Sequence, residues 1–298
     1  EISFWMRSVL KNNKMKITLI KVPYDQSEYN QGVGLAPNAL ISANLEKEFA
    51  QSGIDIFEIV EVNIPNKGED SISTLTLIGK MLNQLVAQAV NNQTIPVILG
   101  GDCLNAIGAT AGLQKALGKK EFGIAWADAH GDFNTPQTTL SNFLPGMSLA
   151  AISGFGLQEL REEIGLEIPI DLGHIILLGT RDLDPLEKKL LETTPMSYLN
   201  PTEVADARTS VAAGYHFKDV IGFYLHIDMD VLDPNIAPAV DFPVKGGLSQ
   251  QELVNAIQEI TVNTPLLAIS LSAINPTLDP HNKTIRSAIE ILREILIS

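Results

Sequence analysis

The sequence predicts an α/β protein built on a parallel sheet with helices on both faces. Short apolar runs alternate with longer helical patterns along the chain, the signature of βαβ units. The runs are nearly continuous in apolar residues, which fits strands covered on both faces. No linker, low-complexity stretch or internal repeat interrupts the pattern in 298 residues. One domain spanning residues 15–298 is therefore expected.

In chain order, strands are expected at residues 17–22, 56–62, 95–99, 122–127, 175–178, 220–227 and 266–271. Each is short, and Val, Ile and Leu dominate them. Helices are expected at 37–50, 71–90, 104–117, 249–260 and 282–296. Two long segments, 135–146 and 233–247, follow neither pattern. Loops at the carboxyl ends of strands in open parallel sheets usually shape the site.

Composition narrows the function. The formal net charge is -14, which argues against binding nucleic acid through its phosphates. It is compatible with a small cationic substrate. No apolar run approaches a membrane span. Cys103 is the single cysteine, so no intrachain disulfide can form; a reducing, cytoplasmic setting is expected. Residues 1–14 show no periodicity and are broken by Arg7, Lys11 and Lys14. They read as a tag or upstream extension rather than a signal peptide.

The chemistry gathers at three expected strand ends. The first is Leu99-Gly100-Gly101-Asp102-Cys103, where paired glycines permit a sharp turn. The second is Ala127-Asp128-Ala129-His130-Gly131-Asp132-Phe133-Asn134. Asp128, His130 and Asp132 are spaced i, i+2, i+4, which puts them on one side of an extended segment. Two carboxylates and an imidazole suit a divalent ion such as Mn²⁺. The plainer alternative is a solvated loop with an incidental histidine. The third is His226-Ile227-Asp228-Met229-Asp230-Val231-Leu232-Asp233-Pro234. Asp233, before proline, reads as a turn or cap residue. Asp228 and Asp230 repeat the i, i+2 spacing, and carboxylates so close repel unless a cation neutralises them. Together these residues suffice for two ions bridged by shared carboxylates. Such a site makes hydroxide from water near neutral pH and stabilises a tetrahedral intermediate. No Ser-His-Asp elbow, P-loop or dinucleotide fingerprint is present.

These blocks resemble the arginase/agmatinase (ureohydrolase) family, whose pattern is Gly-Gly-Asp-His, Asp-Ala-His-x-Asp and Ser-x-Asp-x-Asp-x-x-Asp-Pro. The likeness extends to Thr180-Arg181-Asp182-Leu183-Asp184-Pro185, to the segment from Pro243 to Ser249, and to Asn275-Pro276-Thr277-Leu278-Asp279. It implies a three-layer α/β/α fold with a mainly parallel eight-stranded sheet. It also implies two Mn²⁺ ions, release of urea from a guanidino substrate, and a homo-oligomer, trimer or hexamer. By position, Asp128, His130, Asp132, Asp228 and Asp230 match five of six metal ligands. Asp132 also matches the carboxylate that holds the bridging hydroxide. Asn134, Ser141 and Asp184 match contacts to the amino-acid end of the substrate; the alternative for each is an ordinary loop or capping residue.

Four departures accompany the likeness. Cys103 stands where the sixth ligand, a histidine, is expected; it is either a ligand that favours Zn²⁺ or Fe²⁺ over Mn²⁺ or a small buried thiol. Pro145 replaces a histidine credited with proton shuttling. Ala273 replaces a glutamate that binds guanidinium, and without it a buried cation loses its charge partner. His226 replaces a serine; it is a candidate catalytic proton donor, the alternative being a packed core histidine. The expected function is metal-dependent hydrolysis of a C–N bond in a guanidino or amidino small molecule that need not be arginine. The alternative is a non-catalytic family member acting as a regulatory, structural or ligand-binding subunit. The related zinc deacetylase chemistry fits these motifs less well.

Overall fold

The computed structural model describes residues 15–298; the reading of residues 1–14 lies outside the described residues. Eight strands form one sheet: β1 (Lys16–Lys21), β2 (Asp55–Glu61), β3 (Ile95–Leu99), β4 (Gly123–Ala127), β5 (Ile175–Leu178), β6 (Ser197–Leu199), β7 (Phe223–Asp228) and β8 (Leu266–Ser272). Their order across the sheet is β2-β1-β3-β8-β7-β4-β5-β6, and every neighbouring pair is parallel. The sheet is thus wholly parallel where a mainly parallel one was expected. A two-stranded hairpin of Tyr24–Asp25 and Glu28–Tyr29 stands apart from it.

Each interior strand feeds two cores by alternation. Val97 and Leu99 of β3, with Leu225 and Ile227 of β7, belong to one apolar cluster that includes Leu40, Phe49, Val254 and Leu292. Their sequence neighbours Ile98 and Tyr224 belong to the other, with Ile78, Leu82, Ile107 and Leu149. The period of two along a strand makes this division. β2, at the edge, instead alternates exposed and half-buried residues.

The helices that cover the second cluster include α3 (Ser71–Asn91) and α4 (Asn105–Leu117). α3 begins with a reciprocal cap: the Ser73 N–H donates to Asp70 Oδ1 at 2.8 Å, and the Asp70 N–H donates to Ser73 Oγ at 2.9 Å. The two helices approach closely at Gly108, where an added Cβ would lie 2.9 Å from the Gly79 carbonyl oxygen. The first cluster is covered by α1 (Ala36–Ser42), α2 (Leu45–Gln51), α10 (Gln250–Thr261) and α11 (Lys283–Leu296).

Several expectations need correction. The helix expected at 37–50 is two helices, because Asn44 takes the left-handed conformation at φ 69° between them. The strand expected from residue 220 starts at Phe223. β6, with three residues, and the short helices α5 (Ser148–Ile152), α6 (Gln158–Ile164), α7 (Pro185–Leu191), α8 (Pro201–Ala205) and α9 (Thr209–His216) are not among the expected elements. Segment 233–247 is irregular as expected.

The strand order matters for the site. β3 and β4 follow each other in the chain, yet β8 and β7 lie between them. The chain builds outward in opposite directions from this break, and clefts form at the carboxyl ends of strands at such a point. β3, β4, β7 and β8 are the strands whose ends lead to Cys103, Asp128, Asp230 and Ala273. No described helix is long and apolar enough to cross a membrane.

Candidate active site

The loop after β3 turns at Gly101, where a Cβ would fall 1.7 Å from the Tyr24 carbonyl oxygen; only glycine fits there. The turn delivers Cys103, buried, to the sheet end, where its Sγ donates to Asp228 Oδ2 at 3.2 Å. Asp102 beside it accepts from the backbone N–H groups of Leu104, at 2.8 Å, and Gln26. Burial pushes the Asp102 carboxyl up to about 7.

Beyond β4, Asp128 Oδ2 accepts from the Trp126 indole N–H at 3.0 Å, and Oδ1 accepts from the His130 N–H at 2.7 Å. His130 Nδ1 lies 3.0 Å from Asp230 Oδ2 and 3.5 Å from Asp128 Oδ1. Asp132 is held at φ 45°, a conformation that L-residues seldom adopt. Its Oδ2 is buried and has no hydrogen-bond partner. After β7, Asp228 Oδ1 accepts from the Asp230 N–H at 2.9 Å, and Asp230 Oδ1 accepts from the Ala129 N–H at 3.1 Å.

Two donor sets arise. Cys103, Asp128 and Asp228 offer ligand atoms within 4.8 Å of one another, and so do Asp128, His130 and Asp230. Asp128 belongs to both, as a bridging carboxylate in a two-ion centre would. The electrostatics fit a cation. Burial, and then the Asp230 charge, push Asp128 up to about 6. Burial and neighbouring carboxylates raise Asp132 and Asp228 well above the usual range. Burial lowers His130, but its bonds to Asp128 and Asp230 outweigh that and push it up to about 12. Burial likewise raises Asp230, yet His130 holds it below its ordinary value. A divalent ion neutralises this crowding and gives the unpartnered Asp132 oxygen a partner.

Cys103, His130, Asp132, Asp228 and Asp230 line a cavity of about 740 Å³, with Asp128 buried behind them; Asn134, Ser141, Asp184, Pro145 and Ala273 line it too. Asn134 Nδ2 donates to Asp184 Oδ2 at 3.1 Å, so the structure brings these two expected substrate contacts together. Ser141 is exposed on the loop of 135–146, its Oγ accepting from the Phe143 N–H at 3.2 Å. Phe143 and Phe242 meet at the cavity wall with ring centroids 5.3 Å apart.

His226 is not brought to the cavity. It is fully buried and lies flat on Trp126, with centroids 3.8 Å apart. Its Nδ1 is bonded to Ser270 Oγ at 2.8 Å, and that oxygen also meets the Tyr224 hydroxyl at 2.6 Å. Burial lowers its imidazole to about 3. The packed-core alternative describes it, and the catalytic assignment is corrected: His226 shares its side of the strand with Asp228 but sits two residues deeper in the sheet.

Two further residues hold the site together. Glu187 is buried beside the cavity, its Oε1 accepting from the Phe133 N–H at 2.9 Å and its Oε2 from the Asp184 N–H at 3.1 Å. It ties the Asp132 loop to the start of α7, and the Asp184-Pro185-Leu186-Glu187 capping pattern was its available signal. Arg181 donates to the carbonyls of Asp230 at 2.7 Å, Val244 at 2.8 Å and Gly179 at 2.9 Å. It pins three loops together beneath the centre.

This geometry has relatives. The sequence profile of the arginase family matches residues 15–298. The chain belongs to the arginase family. It is 32% identical to the arginase of Bacillus caldovelox over 289 residues, covering 93% of this chain and 96% of that protein. It is 30% identical to the arginase of Bacillus subtilis (strain 168), covering 94% and 97%. The solved structure of the Bacillus caldovelox arginase superposes with a TM-score of 0.85 at 30% identity, over 95% of this chain and 98% of that one. The arginase family likeness runs through the whole described chain, so the three-layer fold expected from the motifs is the fold observed.

Proposed function

We propose that this chain hydrolyses a C–N bond in a guanidino- or amidino-type small molecule, at a centre that holds two divalent ions. Cys103, Asp128, His130, Asp132, Asp228 and Asp230 would be the ligands. The observation that carries the reading is Asp128: one buried carboxylate shared by two donor sets, each within 4.8 Å. When bound, such a pair of ions supplies a nucleophilic water at neutral pH and positive charge against the developing oxyanion.

The protein's own groups have separate tasks. Asp132 accepts a hydrogen bond from the attacking water; its buried, unpartnered Oδ2 supports that role. It can return a proton to the departing nitrogen, a task that Pro145, having none to give, leaves open. Asn134, Ser141 and Asp184 hold the far end of the substrate, and the Asn134–Asp184 bond pre-orients two of them. Ala273 offers no charge to a guanidinium, and Phe143 and Phe242 make part of the wall apolar. This supports a substrate other than arginine, with a less cationic reacting end. Mn²⁺ and a homo-oligomeric, trimeric or hexameric assembly follow from the family and belong to the same proposal.

The test is a panel of guanidino and amidino compounds, with release of urea, ammonia or amine as the signal, run on wild type and Asp128→Asn. Turnover by wild type that the variant loses supports the reading. A metal-loaded wild type that turns over nothing in the panel favours the non-catalytic alternative.

A further inference from the structure

The two donor sets share Asp128 and otherwise differ in kind. One completes itself with an imidazole and a carboxylate, from His130 and Asp230; the other with a thiol and a carboxylate, from Cys103 and Asp228. The Cys103 thiol already points at the centre, since its Sγ donates to Asp228 Oδ2 at 3.2 Å. It is 5% exposed and lines the same cavity as Asp132. The unpartnered, buried Oδ2 of Asp132 is a separate sign that something binds there. Burial, and then the charges of Asp228, Asp132 and Asp128, push the Cys103 thiol up, so it is a thiol until a cation joins it.

We propose that the two halves of the centre select different metals. The half built on Cys103, Asp128 and Asp228 takes a thiophilic divalent ion such as Zn²⁺, Fe²⁺ or Co²⁺. The half built on Asp128, His130 and Asp230, which has no sulfur, keeps Mn²⁺ while the thiophilic ion is limiting. The inference rests on the two-ion reading above and adds the identity of the ions.

The reason is ligand softness. Thiolate sulfur binds zinc, iron and cobalt through a strongly covalent bond, whereas manganese sits at the weak end of the divalent series and prefers oxygen. Binding converts the S–H into S⁻: the metal–sulfur bond forms, the S–H bond breaks, and the proton leaves to solvent. The backbone is set for this. Gly101 admits only glycine in its turn, so Cys103 is presented by a fixed loop and needs no rearrangement to reach an ion beside Asp228.

Cobalt makes the test direct, because a Co²⁺–thiolate bond adds an intense near-ultraviolet charge-transfer band that oxygen and nitrogen ligands do not give. Protein loaded with Mn²⁺ is titrated with Co²⁺, and absorbance is followed together with bound metal. The expected result is a band that grows with the first Co²⁺ bound per chain, which displaces one Mn²⁺, and grows no further when more Co²⁺ displaces the second. The band should be lost in Cys103→Ser and in Cys103→His, and Cys103→His should instead hold two Mn²⁺. Serine is nearly isosteric with cysteine, and the wild-type titration stands alone if a variant fails to fold. Two Co²⁺ bound without the band would overturn the thiolate assignment and leave the two-ion reading standing. No bound Co²⁺ or Mn²⁺ at all would overturn both.

Discussion

The indole of Trp126 donates to Asp128 Oδ2 at 3.0 Å, from the last turn of the pleat before β4 leaves the sheet. The bond fixes the plane of the one carboxylate that both donor sets share. Groups that orient a metal ligand in this way typically carry 10–100-fold in affinity. Trp126→Phe keeps the buried ring and removes the donor. Metal affinity should fall by about 10–100-fold, read by competition with a chelating dye, with the far-ultraviolet circular dichroism unchanged.

Asp128→Asn separates the cost of crowding from the benefit of metal. Without metal, the variant has one buried charge fewer among Asp132, Asp228 and Asp230, so its melting temperature should equal or exceed that of wild type. With metal, the order should invert. An ion at a hundred times its Kd stabilises the folded chain by about 2.7 kcal/mol, and the variant should lose most of that. Calorimetry with and without added metal checks both halves.

The metal-free protein should grow less stable as pH rises through the neutral range. Burial pushes Asp128 up to about 6, and Asp102 and Glu187 up to about 7. For carboxyls raised in the folded state, the stabilising contribution is complete below their ordinary range and is lost as pH climbs through the raised value. His226, lowered to about 3, works in the opposite sense up to its ordinary value and offsets only one of these three groups, while His130, pushed up to about 12, adds to the loss above its own ordinary value. The melting temperature without metal should therefore fall from about pH 5 to about pH 7. Saturating metal, which binds the ionised carboxylates, should flatten or reverse the slope.

Ala273→Glu should restore a charge partner for a guanidinium. Ala273 lines the cavity after β8, and its N–H is fixed to the Gly101 carbonyl at 2.7 Å. A buried cation left without its partner costs about 3–5 kcal/mol, so even partial recovery should raise kcat/KM for arginine by more than tenfold, about 1.4 kcal/mol. Steady-state kinetics on arginine and on a neutral amidino analogue should show the gain confined to arginine.

The parts legible in the sequence were those with local signatures. β3, β4, β7 and β8 announce themselves because a strand buried on both faces must be apolar throughout, and the ligands follow directly at their ends. β6 and α5 to α9 are too short to show a period, and their helical or extended state is set by packing. The break at Asn44 needed a backbone conformation that composition does not reveal. Proximity across the sheet was also out of reach: Cys103 and Asp228 are 125 residues apart and meet only because β8 and β7 insert beside β3. His226 misled because it shares its side of β7 with Asp228, while its depth places it on Trp126.

The central claim is a two-ion centre bridged by Asp128, and elemental analysis tests it most directly. Protein prepared without chelator is supplied with Mn²⁺ and Co²⁺ together, freed of excess metal, and assayed for metal per chain, beside Asp128→Asn. The account predicts close to two ions per wild-type chain and at most one in the variant. A wild type that holds no ion, or a variant that holds as many as wild type, would contradict it.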